Sequence, residues 1–397
     1  MASPQQQLSI LDVITEAPAR AREQRYVPPF FSDIPLVIVT LLLLAFGLLM
    51  LYSTSGVLAQ EKFGDAYYYL RRQGVAALIG CGGVVLISRL KLSWIRNYSP
   101  LLLPLSILLL LLPLVPTVGV RAGGAMRWVN LFGLRFQPGE VVKLVFVVFM
   151  AGYFARRESR LHLFTQGILK PLFLVGIIAC LYLLQPDFGS TALTLLITFS
   201  MALCAGVRFR HLAISGAFCA AALLFLVLTS PYRVRRLLSF LEPMADASGK
   251  GYQLIQSLIA VGSGHLSGVG LGASQQKLFF LPAAHTDFIF AVVSEELGFL
   301  GSVAVLVLFG LFLWRGLRIS LRHIHDTFAF TLGIGVTLFI VAPALLNMGV
   351  VLGLLPTKGL ALPFLSYGGT STVVSLLGVG ILLVLARSRN EAVRSGR

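Results

Sequence analysis

Charge is what this sequence has least of. Only 12% of its 397 residues are Asp, Glu, Lys or Arg, against roughly 25% in ordinary soluble domains. No polar stretch is long enough for a separate soluble domain, so function must sit in apolar segments and the loops between them. Cysteine is scarce too. Cys81, Cys180, Cys204 and Cys219 all fall within apolar runs, where a free thiol behaves as a small hydrophobe, and this argues against a disulfide framework. Acidic residues number 16 against 32 basic ones, for a net charge of +16. The excess is spread over alternate loops, which fits membrane orientation bias rather than nucleic-acid binding. No His pair stands at HExxH spacing, and none of His162, His211, His265, His285, His323 or His325 forms a zinc signature. Gly262, Gly264, Gly268, Gly270 and Gly272 miss GxGxxG spacing and follow no strand, which rejects a dinucleotide site. They suit close approach of the backbone to a helix or a ligand.

What the chain has in abundance is apolar length. It is 57% hydrophobic with a mean hydropathy of +0.86. Runs near the length that crosses a bilayer, about 17 to 25 residues, recur at 34–53, 74–88, 99–117, 139–154, 171–185, 188–206, 212–229, 286–314, 327–349 and 363–386. The expected fold is an all-α polytopic membrane protein of about ten transmembrane helices. Basic residues beside spans resist translocation, and Arg89, Lys91, Arg156, Arg157, Arg208, Arg210, Arg315, Arg318 and Arg387 then place both termini in the cytoplasm. The domain reading is a cytoplasmic segment 1–33, one membrane domain 34–386 with an extracytoplasmic loop 230–285 between helices 7 and 8, and a basic tail 387–397. The first span is too long for a cleaved signal and reads as a retained anchor.

Unusual polar residues gather on the expected outer side. In "RAGGAMRWVNLFGLRFQPGEVVKLVF" (121–146), which leads into the fourth span, Glu140 and Lys143 are three apart and face one another on a helix. They form either a structural ion pair or a ligand for an anionic lipid headgroup. Trp128 beside Arg127 is either an interfacial anchor or a platform for a sugar or polyprenyl phosphate. In "QPDFGS" (185–190), Asp187 reads as the cap of the next helix. The loop 230–285 carries Arg233, Arg235, Arg236, Lys250 and Lys277, suited to an anionic lipid surface or to a specific phosphate. Lys358 is the sole charge in "GLLPTKGLALPFLSYGGTS" (353–371), where it either snorkels or holds an anion.

The stretch "LPAAHTDFIFAVVSEELG" (281–298) places His285, Asp287, Glu295 and Glu296 in an apolar setting. A carboxylate inside a membrane helix costs at least ~2.5 kcal/mol on insertion scales. On a continuous helix the two glutamates lie about 12 to 13.5 Å deeper than Asp287 and point elsewhere, so the three acids cannot form one cluster. Asp287 therefore belongs to the outer mouth, as a helix cap or as part of a site. His285 reads as a turn or interface residue. Glu295 and Glu296 are structural or line an ion or substrate path.

Five stretches, "GAMRWVNLFGLRFQPGEVVK", "QPDFGS", "GKGYQLIQSLIAVGSGHLSGVGLG", "FLPAAHTDFIFAVVSEELG" and "LPTKGLALPFLSYGGTS", occur in this order. Together they make the chain resemble the SEDS family of bacterial membrane glycosyltransferases over nearly its whole length, its cell-division branch more than its elongation branch. The resemblance implies a lipid II polymerase that makes peptidoglycan glycan strands at the outer face of the inner membrane, at the division septum. It also implies a class B penicillin-binding protein transpeptidase and other division-machinery membrane proteins as partners. By motif, Asp287 corresponds to the family's essential outward-facing Asp, and Trp128, Glu140, Lys143 and Lys358 to other functional positions. Gly139, Thr370 and His265 depart from the usual pattern.

The chemistry agrees with that inventory. Transfer from a lipid diphosphate needs a base for the acceptor hydroxyl and positive charge for the departing diphosphate. Asp287 would be the base. Lys358, Lys143, Arg127, Arg233 and Lys277 would supply cations, with Glu140 and Trp128 completing the substrate site. A divalent cation bridging Asp287 and the diphosphate is compatible with this, although the sequence offers no metal cage. Two other readings stand beside it: a transporter of lipid-linked sugar, for which Glu295 and Glu296 would matter most, and a noncatalytic scaffold for a transpeptidase.

Overall fold

The computed structural model describes residues 32–122, 125–131, 134–246, 249–357 and 359–394. Among these residues nine helices are long and apolar enough to cross a membrane, and a tenth apolar helix is shorter. In chain order they are α1 (Ile34–Phe63), α2 (Tyr68–Ser88), a span Leu92–Leu114 assembled from α3 (Leu92–Tyr98), α4 (Leu102–Leu111) and 3₁₀ turns, α5 (Pro138–Arg156) and α6 (Lys170–Leu184). The short α7 (Phe188–Cys204) and α8 (Phe209–Leu228) follow; then come two connecting helices, α9 (Pro231–Leu241) and α10 (Lys250–Ser263), and the long α11 (Ile289–Leu321), α12 (Thr327–Val351) and α13 (Gly369–Arg394). Each of the ten expected spans has its helix. The protein is a multi-pass membrane protein. Its centre is formed by α5, α12 and α13, which bury most of their length, whereas α8 presents nearly all of its surface outward.

One end of the bundle is closed by charges at helix termini. Asp33 accepts from the Leu36 amide at 3.1 Å and pairs with Arg315 at 2.5 Å. Asp326 accepts from the amides of Phe328 and Ala329 at 3.1 and 3.3 Å and pairs with Arg96. A carboxylate at a helix N-terminus opposes the positive end of the dipole, so each of these acids ties a neighbouring helix to a cap. At a helix C-terminus the polarity reverses. There the Arg387 guanidinium donates to the carbonyls of Ser88 and Leu90 at 2.7 and 2.5 Å.

The opposite end departs from expectation in three ways. First, residues read as leading straight into a helix form an antiparallel sheet, β1 (Gly119–Ala122), β2 (Ala125–Leu131) and β3 (Leu134–Phe136), in the order β1-β2-β3. Seven residues of β2 are too short a run to show as a strand against the hydropathy of the spans, and its backbone groups are satisfied by pairing on both edges. Second, much of 230–285 is helical, as α9 and α10. Third, α11 begins only at Ile289 and is broken at Gly298 (φ 66°, ψ −159°), so helical extrapolation from Asp287 fails.

The break is filled by the glycine-rich segment after α10. Val269 and Gly270 donate to the carbonyls of Glu295 and Glu296 at 3.0 Å each, and Phe299 and Leu300 donate to those of His265 and Leu266 at 2.9 and 3.2 Å. Backbone groups freed by a break inside a membrane must find such partners. Gly268 (φ +82°) sits where a Cβ would overlap the Glu296 carbonyl, so here the glycines do permit close approach to a helix.

Candidate active site

Four segments meet at this end: the sheet, the turn before α7, the segment entering α11 and the α12–α13 connection. Asp287 lies in the turn ahead of α11 and is not its cap; that position is taken by Phe288, without a side-chain bond. Its backbone is held from three directions. The Asn347 amide, from within α12, donates to the carbonyls of Asp287 and Leu360 at 2.7 Å each. Ser366 donates to the Thr286 carbonyl at 2.6 Å, and the Tyr367 amide donates to that of His285 at 3.0 Å. Gln73, buried in α2, anchors this connection through Thr372 at 2.7 Å and the Ser366 carbonyl at 3.2 Å.

The Asp287 carboxyl faces Gly359, where a side chain would press on Oδ2 at 3.0 Å. Burial pushes its pKa up to about 6, and the charges of Arg236 and Arg127 pull the other way. A carboxylate so poised is ionised at neutral pH yet basic enough to accept a proton. His285 is held down at about 4 by burial and by Lys62, among the rings of Tyr69 and Tyr367 at 4.9 and 6.1 Å. It is neutral at pH 7 and a weaker base than its neighbour.

Arg127, on β2, donates through Nε to the Gln185 carbonyl at 3.1 Å and also bonds that of Pro186, which draws the sheet onto the turn before α7. Trp128 pairs across the sheet with Val120 and is half-buried. Asp187 is the cap expected of it, accepting from the Ser190 amide at 3.1 Å and hydroxyl at 2.8 Å. Glu140 and Lys143 form a 2.7 Å ion pair with the ammonium buried. The fully buried Tyr182 donates to the Gly139 carbonyl at 2.8 Å, and its ring rests where a side chain on Gly139 would crowd it. Thr370 accepts from the Gln137 amide at 3.2 Å, which joins the start of α13 to the entrance of α5.

Like Arg127 and Lys143, two further expected ligands are bonded within the protein. Arg233 donates to the Leu226 carbonyl at 2.8 Å and lies 5.3 Å over the Phe188 ring. Lys277 pairs with Glu296 at 2.8 Å. From the same basic cluster it is Arg236 whose charge reaches Asp287, and its buried Nε has no hydrogen-bond partner. Lys358 lies outside the described residues. Asn347 and Gln73 escaped sequence reasoning; an amide inside an apolar run is the signal that could have flagged Asn347. Among the described residues no group of three or more His, Cys, Asp or Glu could hold a metal ion.

Known proteins carry the same architecture. The family model for cell cycle proteins of the FtsW, RodA and SpoVE type matches residues 34–391. A probable peptidoglycan glycosyltransferase FtsW from Trichlorobacter lovleyi is 40% identical over 365 residues, covering 92% of this chain and 96% of the relative. Stage V sporulation protein E of Bacillus subtilis is 40% identical over 355 residues, covering 89% of this chain and 97% of its own. Among solved structures, a chain from work on structural coordination of polymerization and crosslinking by a peptidoglycan synthase complex superposes with a TM-score of 0.72 at 32% identity, covering 89% of this chain and 97% of that one. The rod shape determining protein RodA of Thermus thermophilus gives a TM-score of 0.65 at 28% identity, covering 90% and 97%. With the match running from the first residue of α1 almost to the end of α13, the chain belongs to the FtsW/RodA/SpoVE family of cell cycle proteins.

Proposed function

We infer that this protein is a peptidoglycan glycosyltransferase of the cell-division kind. The observation that carries the reading is one part-buried carboxyl, Asp287, raised to about 6 by burial within the field of Arg236 and Arg127 and held through its carbonyl by Asn347. Curated relatives at about 40% identity bear that activity in their names, which supports it. The substrate in this reading is lipid II. The acceptor 4-hydroxyl gives its proton to the Asp287 carboxylate as its oxygen bonds to the donor anomeric carbon. The bond from that carbon to the diphosphate breaks, its electron pair goes to the departing lipid diphosphate, and the cations Arg236, Arg127, Lys143 and Lys358 would offset that charge. Attack from the opposite face inverts an α-linked donor into a β-1,4 bond. A divalent cation, if used, would draw its ligands from Asp287 and the diphosphate, and no step above depends on one.

The Asp287 end is proposed to face outward at the inner membrane of the division septum, and the opposite, Arg-rich end to face the cytoplasm. A class B penicillin-binding protein fits as transpeptidase partner, since a structural relative comes from a peptidoglycan synthase complex. The broken α11 with two buried glutamates is the feature that favours a transporter. Against that, both glutamates already have partners within the protein. The deciding experiment gives lipid II to purified protein, with and without its co-purifying transpeptidase, and resolves glycan polymer on gels. Complete loss of polymer with Asp287→Ala, against slowed but retained polymer with Glu295→Ala, is expected; no polymer from wild type with its partner would overturn the reading.

A further inference from the structure

Glu295 and Glu296 have 2% and 0% of their surface exposed, and neither is used by the chemistry above. Glu295 accepts from the Ser274 hydroxyl at 2.5 Å and the Gln275 amide at 3.0 Å. Glu296 accepts from Ser53 of α1 at 2.7 Å and from the Lys277 ammonium at 2.8 Å, and that ammonium also reaches Ser53 at 3.1 Å. The Lys277 amide donates to Ser274 at 3.2 Å, so the two halves are joined. Together they clamp residues 274–277 to α1 and α11. Those residues lie midway along the segment that leaves the α11 break at Gly270 and ends at Asp287.

Stability alone does not account for such a cluster. A buried ion pair gains little over well-packed apolar residues of the same volume; what it adds is direction, because charge-assisted hydrogen bonds are satisfied in one geometry. We propose that the Ser53–Lys277–Glu296 cluster, with Glu295 and Ser274, is a positioning device that fixes the Asp287-bearing segment against α1 and α11. Lys277, Glu296 and Ser53 act through Asp287 and touch no substrate. This rests on the glycosyltransferase reading, in which displacement of the base by about 1 Å is enough to cost rate.

The test uses the full-length protein in nanodiscs with lipid II and its transpeptidase partner. It compares wild type, Glu296→Gln, Lys277→Met, the double variant and Ser53→Ala. Three quantities are read: melting temperature, kcat and KM for polymerisation, and hydrogen exchange of peptides within 264–288. Each single charge variant strands a buried charge or its partner and should melt lower, while the double variant should recover most of the loss. The expected result is a double variant that is folded, exchanges faster over 276–288, and has kcat at least about tenfold lower with KM changed less than about twofold. A folded double variant with wild-type exchange and kcat overturns the proposal. Should the double variant fail to fold, Ser53→Ala decides: faster exchange and lower kcat at an unchanged melting temperature support it, and no change overturns it. Absence of polymer from wild type would sink the glycosyltransferase reading instead, and exchange alone would then judge the clamp.

Discussion

At the scale of single residues, the functional question turns on what burial does to one carboxyl. The Asp287 pKa rises from an ordinary value of 3.8 to about 6. A raised carboxyl pKa stabilises the fold while the group is protonated, and that contribution is lost as pH climbs from about 4 through 6. The loss is about 3 kcal/mol for a shift of this size. Asp287→Asn should therefore melt above wild type at pH 7.5 and level with it at pH 4, in thermal unfolding of the solubilised protein. The same variant should make no glycan. For wild type, kcat/KM should fall on the acid side with a midpoint near 6. Asn347 offers a complementary test. Asn347→Leu leaves the carbonyls of Asp287 and Leu360 without their donor, at about 1 to 3 kcal/mol each. A melting point lowered accordingly, together with a fall in kcat greater than any rise in KM, is the expected outcome of unfolding and polymerisation assays.

Among elements, the break in α11 depends on two backbones meeting. Gly268→Ala combines a left-handed residue with overlap of the Glu296 carbonyl and should cost about 3 kcal/mol. Gly262→Ala, in the same glycine run but inside α10 with open space around it, should be neutral or slightly stabilising. Denaturation of the two variants side by side checks this, and equal effects would contradict the packing described. His265 shows the same constraint from the other side: a non-glycine residue at φ +46° whose carbonyl serves the Phe299 amide. The sequence announced close approach here through its glycines but could not name the partner. The break occurs within what hydropathy reads as one span, because Gly298 is no less apolar than its neighbours.

For the whole molecule, the positive-inside distribution makes a directional prediction. On a background with the four native cysteines replaced by Ala, a Cys at exposed position 244 should react with a membrane-impermeant maleimide applied to spheroplasts. A Cys at exposed position 159, between α5 and α6, should react only after lysis. The reverse pattern would invert the topology and remove Asp287 from the outer face. By itself the sequence determined where the apolar helices run, the cap at Asp187 and the nearness of Glu140 to Lys143, because hydropathy, capping and i,i+3 contact are sums over near neighbours. Only the tertiary structure decided that the charge of Arg236 rather than Arg233 acts on Asp287, that Lys277 and Ser53 serve Glu296, and that Asn347 holds the Asp287 carbonyl. Those partners lie far apart in the chain, and which cation neutralises which buried acid is set by helix packing that no local pattern encodes.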